Sequence, residues 1–184
     1  MRTLQIGNIF LICCCISYLI FWSLGYRPGM ESERTAPLTI VFFLITAVLG
    51  VSGIGETIVG LNILPKTTKT PISSTLLIAA GIVLYIGLCF ITGKQFHRPV
   101  TTELLLITGW LILMACTINT LAASGEPAGH LIAISMLTLA AWIVSMVLYM
   151  LYYKMEPAKA YYAAMVPLIA IGISMTGSLF IISF

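Results

Sequence analysis

The sequence predicts an all-α integral membrane protein, folded as a single bundle of six transmembrane helices over residues 1–184. The first observation is composition: the 184 residues are 60% hydrophobic and 8% charged, with a mean hydropathy of +1.08, whereas soluble domains carry about 25% charged residues. The second is that the apolar residues form six segments of membrane-spanning length. The third is that short connections separate these segments, which leaves no room for a soluble domain. Five or seven spans are the alternatives.

Polar turns define the six predicted helices. The helices cover residues 4–25, 37–64, 72–93, 100–124, 130–153 and 160–184. Proline, glycine and charged residues occupy the connections, where such residues end helices and remain in water. The second segment would be about 42 Å long as a helix, against a hydrocarbon core of about 30 Å, so it must tilt, protrude or break. We expect a kink or unwound turn at Gly53-Ile54-Gly55, because each glycine weakens a helix.

The first segment has an alternative interpretation as a secretory signal peptide. Arg2 would then be its charged region and Ser23-Leu24-Gly25 its small-residue cleavage site. However, the apolar stretch is longer than a usual signal core. A first transmembrane helix is therefore the better interpretation.

The distribution of basic residues predicts an orientation. The connections after helices one, three and five hold six basic residues: Arg27, Arg34, Lys94, Arg98, Lys154 and Lys159. The opposite side of the membrane holds three: Arg2, Lys66 and Lys69. By the positive-inside rule, this multi-pass protein of the cell membrane has both termini on the non-cytoplasmic side. The basic residues form no polybasic run, so no nucleic-acid partner is expected.

Residues 50–60 in the second helix combine four glycines with a carboxylate. At 100° per residue, small and polar residues fall within an arc of roughly 120°; they are Thr46, Gly50, Gly53, Glu56, Thr57 and Gly60. A carboxylate in hydrocarbon costs at least about 2.5 to 3.5 kcal/mol. This stripe must therefore face protein or water.

Comparable stripes occur on the third, fourth and sixth helices. They consist of Ser74, Gly81, Tyr85 and Thr92; of Thr101, Thr108, Ala115 and Asn119; and of Ala163, Pro167, Ala170, Ser174, Gly177 and Ser178. Small residues let membrane helices approach closely, and hydroxyl groups form hydrogen bonds between them. We interpret these stripes as helix-packing faces.

Five polar residues are predicted to lie in the half of the membrane on the side of the termini: Glu56, Asn119, His130, Ser174 and Ser178. We hypothesise that they line a polar, outward-facing cavity and contact a ligand, with Glu56 as its only intramembrane charge. Structural roles are the alternatives. His130 would be an interfacial cap, Asn119 an interhelical hydrogen-bond donor, and Glu56 a residue near the interface.

The sequence lacks the residues and motifs that metal sites, haem sites and common enzyme active sites require. The chain has no aspartate, and its two histidines, His97 and His130, are predicted on opposite faces, so neither a metal site nor any other cofactor is expected. Nucleotide-binding and hydrolase motifs do not occur, and we assign no catalytic residue. The five cysteines lie inside apolar segments, where we expect small buried side chains and no disulfides.

The lipid bilayer is the expected surrounding of this chain, and three functions are compatible with its sequence. The leading one is binding or transport of a small solute or ion, because Glu56 and an irregular glycine-rich helix suit a membrane site for polar cargo. The second is an accessory or structural subunit that binds a membrane-protein partner. The third is a lipid-modifying enzyme, which we disfavour because Glu56, Glu103 and two histidines are the only acid-base candidates.

Overall fold

The computed structural model describes residues 2–28, 32–69, 71–96 and 102–183. In these ranges the chain forms α1 (Arg2–Gly25), α2 (Ser32–Ile63), α3 (Ser74–Phe96), α4 (Thr102–Ala123), α5 (Ala128–Leu151) and α6 (Pro157–Ser183), and a short 3₁₀ helix (Tyr152–Lys154) follows α5. All six α-helices are long and apolar enough to cross a membrane. The predicted all-α membrane fold with six spans is confirmed.

The helices form an open ring in the spatial order α2, α1, α6, α5, α4, α3. Each helix packs against its neighbours in that order, and α2 and α3 pack mainly against α1 and α4 respectively. The ring is therefore open between α2 and α3. The first and last helices meet along their length: Gln5 Nε2 donates to Ser183 Oγ at 3.1 Å, and Trp22 Nε1 donates to the carbonyl of Tyr161 at 3.3 Å.

The helix α2 is continuous over its 32 residues and stays α-helical through the segment where we expected it to unwind. The unwound turn that we expected as one possibility at Gly53-Ile54-Gly55 does not form, and a kink there stays a prediction. A Cβ atom on Gly53 would lie 2.7 Å from Cγ of Leu11 in α1. Gly53 therefore provides room for a neighbouring helix, and that packing offsets the low helix propensity of glycine.

Small residues make the contact between α1 and α2 close enough to bring backbones together. A Cβ atom on Gly60 would lie 2.8 Å from the backbone nitrogen and 2.9 Å from Cα of Leu4. On the other helix, a Cβ atom on Gly7 would lie 2.7 Å from the backbone nitrogen of Thr57. The glycine stripe of α2 thus faces protein, as predicted.

Hydroxyl groups add polar contacts to the same pair of helices. Thr46 Oγ1 donates to Ser17 Oγ at 3.0 Å and to the carbonyl of Phe42 at 2.7 Å. Ser17 Oγ donates to the carbonyl of Phe42 at 3.2 Å. These hydroxyls are buried and satisfied, so they stabilise the pair without leaving a polar group in hydrocarbon.

Parts of the other predicted packing faces also lie between helices. A Cβ atom on Gly81 of α3 would collide with Ile112 of α4, and one on Gly177 of α6 would lie 2.9 Å from Cδ1 of Leu137 in α5. Thr92 and Thr108 are buried. Gly81, Thr92, Thr108 and Gly177 thus lie at helix contacts, as predicted. In contrast, Ser74 is exposed, and Ala163 and Pro167 line a cavity inside the bundle. Thr101 lies outside the described residues.

The buried core is formed mainly by α4, α5 and α6. Its larger cluster contains Leu4, Leu64, Trp110, Met114, Leu121, Ile134, Ala141, Ile171, Met175 and Ile182, and its smaller cluster contains Leu104, Ile107, Met146 and Tyr149. By contrast, α2 and α3 expose large apolar side chains along most of their length. A lipid bilayer is the environment that covers such surfaces.

Candidate functional site

A cavity of about 950 Å³ lies inside the open ring. Its walls come from α1, α2, α4 and α6, and the first turn of α3 and the end of α5 contribute further residues. The lining extends from Phe43 to Asn62 along α2 and from Glu103 to Thr120 along α4. These stretches correspond to about 25 to 28 Å of helix, close to the thickness of a hydrocarbon core. We call this space the central cavity.

The long walls of the central cavity are apolar. Val51, Ile54 and Ile58 line it on α2, and Leu106 and Gly109 line it on α4. Val51 and Leu106 are 74% and 62% exposed, and part of that exposure is to the cavity. A Cβ atom on Gly109 would have no described neighbour within 4 Å outside its own helix. The wall therefore has free space about 9 Å along α4 from Glu103, where this span begins.

Polar side chains line the central cavity chiefly at its two ends. Beside the α2–α3 loop lie Asn62, Lys66, Ser74 and Thr120; at the opposite end lie Tyr18, Trp22, Glu103, Tyr149 and Tyr152. We call these the Lys66 end and the Glu103 end. Of the described lining residues, Lys66 and Glu103 carry the charges, one at each end. The cavity thus has an apolar middle and oppositely charged ends.

The five residues predicted to bind a ligand do not meet at the central cavity. Within the described part of the chain, its lining includes none of them: Glu56, Asn119, His130, Ser174 and Ser178. Their contacts, described next, assign most of them to structural interactions. Ligand binding by these residues stays a prediction.

Asn119 fixes the start of α3. Its side-chain Oδ1 accepts a hydrogen bond from the backbone N–H of Ile72 at 3.0 Å, and its Nδ2 donates to the carbonyl of Ile72 at 2.7 Å. The same α2–α3 loop is held by the end of α4, where the Ala123 carbonyl accepts from the N–H groups of Thr67 and Thr68 at 2.8 and 3.1 Å. Asn119 therefore positions the loop that carries Lys66.

Glu56 is half-buried at the edge of the α1–α2 contact. At 100° per residue, it lies about 160 to 200° around α2 from the cavity-lining Ile54 and Ile58. It forms no hydrogen bond or ion pair with a described residue. Glu56 is thus a carboxylate on the side of α2 that faces away from the central cavity.

His130 and Glu126 form a side-chain hydrogen bond that was not predicted from the sequence. His130 Nδ1 lies 2.8 Å from Glu126 Oε1, and Glu126 retains 12% of its side-chain exposure. The two residues are four apart, the spacing at which side chains meet on a helix, and that spacing is visible in the sequence. His130 thus lies in the first turn of α5 with Glu126 as its partner, and its role as an interfacial cap stays a prediction.

Ser174 and Ser178 lie between α6 and its neighbours and are almost completely buried. Ser178 Oγ donates to the carbonyl of Ser174 at 2.8 Å. The Oγ of Ser174 has no hydrogen-bond partner among the described residues. Ser178 is therefore satisfied within its own helix, whereas Ser174 retains an unused hydroxyl.

The chain matches no known protein family, no curated protein and no solved structure. Within the described ranges, no group of three or more His, Cys, Asp or Glu residues could hold a metal ion. His97 lies outside those ranges. The physical properties of the central cavity are consequently the basis for assigning a function.

Three cavity residues had been interpreted differently from the sequence. Lys66 counted as a topology-determining charge, and Glu103 as a possible acid-base residue of an enzyme. Gly109 belonged to none of the predicted stripes. No sequence pattern relates these residues, because the cavity depends on which helices are neighbours in space.

Proposed function

We propose that this polytopic membrane protein binds a lipid, with a hydrocarbon chain of the lipid in the central cavity. The observation that carries the proposal is an apolar cavity about as long as the membrane is thick, in a ring that is open between α2 and α3. Its volume of about 950 Å³ is near the upper end of the range for ligand pockets. A lipid could enter through this opening without leaving the bilayer.

The character of the walls supports an apolar ligand over a polar one. A polar solute in the middle of the cavity would lose its hydration next to Val51, Ile54 and Leu106, without compensating hydrogen bonds. A hydrocarbon chain has no such cost. It also provides the contacts that the exposed apolar walls lack.

Filling the cavity should prevent lipid binding. In Gly109→Leu, the new side chain enters free space, so the protein should fold while retention of phosphatidylcholine falls about tenfold or more, as expected from the cost of overpacking. Native mass spectrometry of the detergent-purified protein, after incubation with phosphatidylcholine, measures the retained lipid. Gly87→Leu is the matched control, because Gly87 also has no described neighbour within 4 Å outside its own helix and lies outside the cavity lining. Equal lipid retention by the two variants would contradict the proposal.

Glu56 supports a second candidate function, the binding of a small cation or polar solute. A carboxylate within a membrane span is costly, and such residues commonly serve ion or substrate pathways. The half-buried Glu56 has no described partner that would explain it as part of an ion pair. This function requires a polar surface other than the central cavity.

Glu56→Gln tests that second function. Because no described hydrogen bond or ion pair is lost, the melting temperature of the variant without added ions should equal that of wild type. A cation that binds Glu56 should raise the melting temperature of wild type but not of the variant, since ligand binding stabilises the folded state. Thermal unfolding in detergent with sodium, potassium or magnesium chloride measures this. The same response to every salt in both proteins would contradict an ion site at Glu56.

A further inference from the structure

The two ends of the central cavity differ in charge. At the Lys66 end, the ammonium of Lys66 is accompanied by the Asn62 amide and the Ser74 hydroxyl, all of which can donate hydrogen bonds. At the Glu103 end, the charged lining residue is a carboxylate. The ammonium of Lys66 would attract an anionic group to the Lys66 end.

The cation at the Lys66 end is available to a ligand. Lys66 is exposed, and no ion pair joins it to another residue in the described ranges. Asn62 is likewise exposed and forms no hydrogen bond with a described residue. The α2–α3 loop that carries Lys66 is held by the hydrogen bonds to Ala123 and by Asn119. The charge is therefore attached to a fixed part of the cavity.

The depth of Lys66 corresponds to that of a lipid headgroup. The membrane-spanning part of α2 ends at Ile63, so Lys66 lies just beyond the span, whereas Val51, Ile54 and Ile58 are within it. A phospholipid in its normal bilayer orientation has the same arrangement, with a charged headgroup at the interface and chains in the hydrocarbon. Such a lipid could reach the cavity from the side by moving between α2 and α3.

We infer that the ligand is an anionic phospholipid of the surrounding bilayer, with its phosphate headgroup at Lys66 and one acyl chain along the α2 and α4 walls. This inference rests on the proposed lipid-binding function and adds the headgroup class and the orientation. The transmembrane helix of a partner protein could fill the same groove, and the experiment below distinguishes it from a lipid.

Competition between two lipids tests the headgroup assignment. The purified protein is incubated with equal amounts of phosphatidylglycerol and phosphatidylcholine that carry the same acyl chains, and the retained lipids are counted by native mass spectrometry. Wild type should retain phosphatidylglycerol about fivefold in excess, the factor expected from one basic residue near a membrane surface. Lys66→Gln should retain the two lipids equally. Lys69→Gln removes an exposed charge of the same loop that lies outside the cavity lining, and it should keep the preference.

Each other outcome has a distinct meaning. Equal retention of the two lipids by wild type would overturn the headgroup assignment and leave the lipid-binding proposal intact. Loss of the preference in Lys69→Gln to the same extent as in Lys66→Gln would show a general surface-charge effect and would also overturn the assignment. Absence of both lipids from wild type, or a co-purifying protein helix in their place, would overturn the proposed function as well.

Discussion

Replacing Gly60 by alanine should destabilise the protein by about 1 to 3 kcal/mol, the usual cost of adding atoms to a packed contact. The added Cβ would lie 2.8 Å from the backbone nitrogen of Leu4 and 2.9 Å from its Cα. Backbone atoms cannot move away alone, so α1 and α2 must separate. Thermal unfolding in detergent should show a lower melting temperature than wild type.

Gly55→Ala is the matched control in the same helix. A Cβ atom there has no described neighbour within 4 Å outside its own helix, so the substitution should be neutral or stabilise slightly through helix propensity. Equal effects of the two substitutions would contradict close backbone packing at Gly60.

A second-site substitution distinguishes two kinds of close contact. The Cβ atom added by Gly53→Ala would contact mainly the side chain of Leu11. Adding Leu11→Ala to that variant should therefore restore part of the stability lost through Gly53→Ala. The Cβ atom added by Gly60→Ala would contact the backbone of Leu4, so adding Leu4→Ala should not restore the lost stability.

Replacing Asn119 by alanine should have the second large effect, a loss of about 1 to 3 kcal/mol, because two hydrogen bonds to Ile72 disappear and its backbone groups lose their partners. Amide hydrogen exchange should become faster at Ile72. Exchange at Thr67 and Thr68 should change less, since their N–H groups donate to the carbonyl of Ala123.

Asn62→Ala provides the control for that experiment. Asn62 is exposed and forms no hydrogen bond with a described residue, so its loss should leave the melting temperature and the exchange at Ile72 unchanged. If Asn119→Ala leaves the exchange rate at Ile72 unchanged, the amide does not hold the loop in the membrane-embedded protein. Because the loop carries Lys66, Asn119→Ala should also weaken the preference for phosphatidylglycerol.

The helices and their packing stripes were predictable because both depend on local sequence. Membrane-spanning length follows from runs of apolar residues, and the faces that carry Gly53 and Gly81 follow from a period of 3.6 residues. The continuity of α2 was not predictable from these features. Helix propensity alone argues against two nearby glycines, and only the contact of Gly53 with Leu11 shows why the helix persists.

The central cavity was beyond the reach of sequence reasoning because it depends on the spatial order of the helices. A helical wheel places Glu56, Gly53 and Gly60 in one stripe, but it does not identify the neighbour at each edge of that stripe. With α1 packed against Gly53 and Gly60, the cavity falls on the side of Ile54 and Ile58, away from Glu56. The significance of Lys66 and Gly109 likewise appears only when α2 and α4 face each other.

The contact between α1 and α6 also bears on the order in which the protein is assembled during synthesis. Since α1 is synthesised before α6, the face of α1 that meets Tyr161 and Ser183 lacks this contact until α6 has been made. Until then the α1–α2 hairpin must remain folded in the bilayer without α6, and its close backbone contacts stabilise it. A nascent chain that stops before Pro157 would therefore contain the hairpin but lack one wall of the cavity, so a ligand would become enclosed only once α6 has joined the bundle.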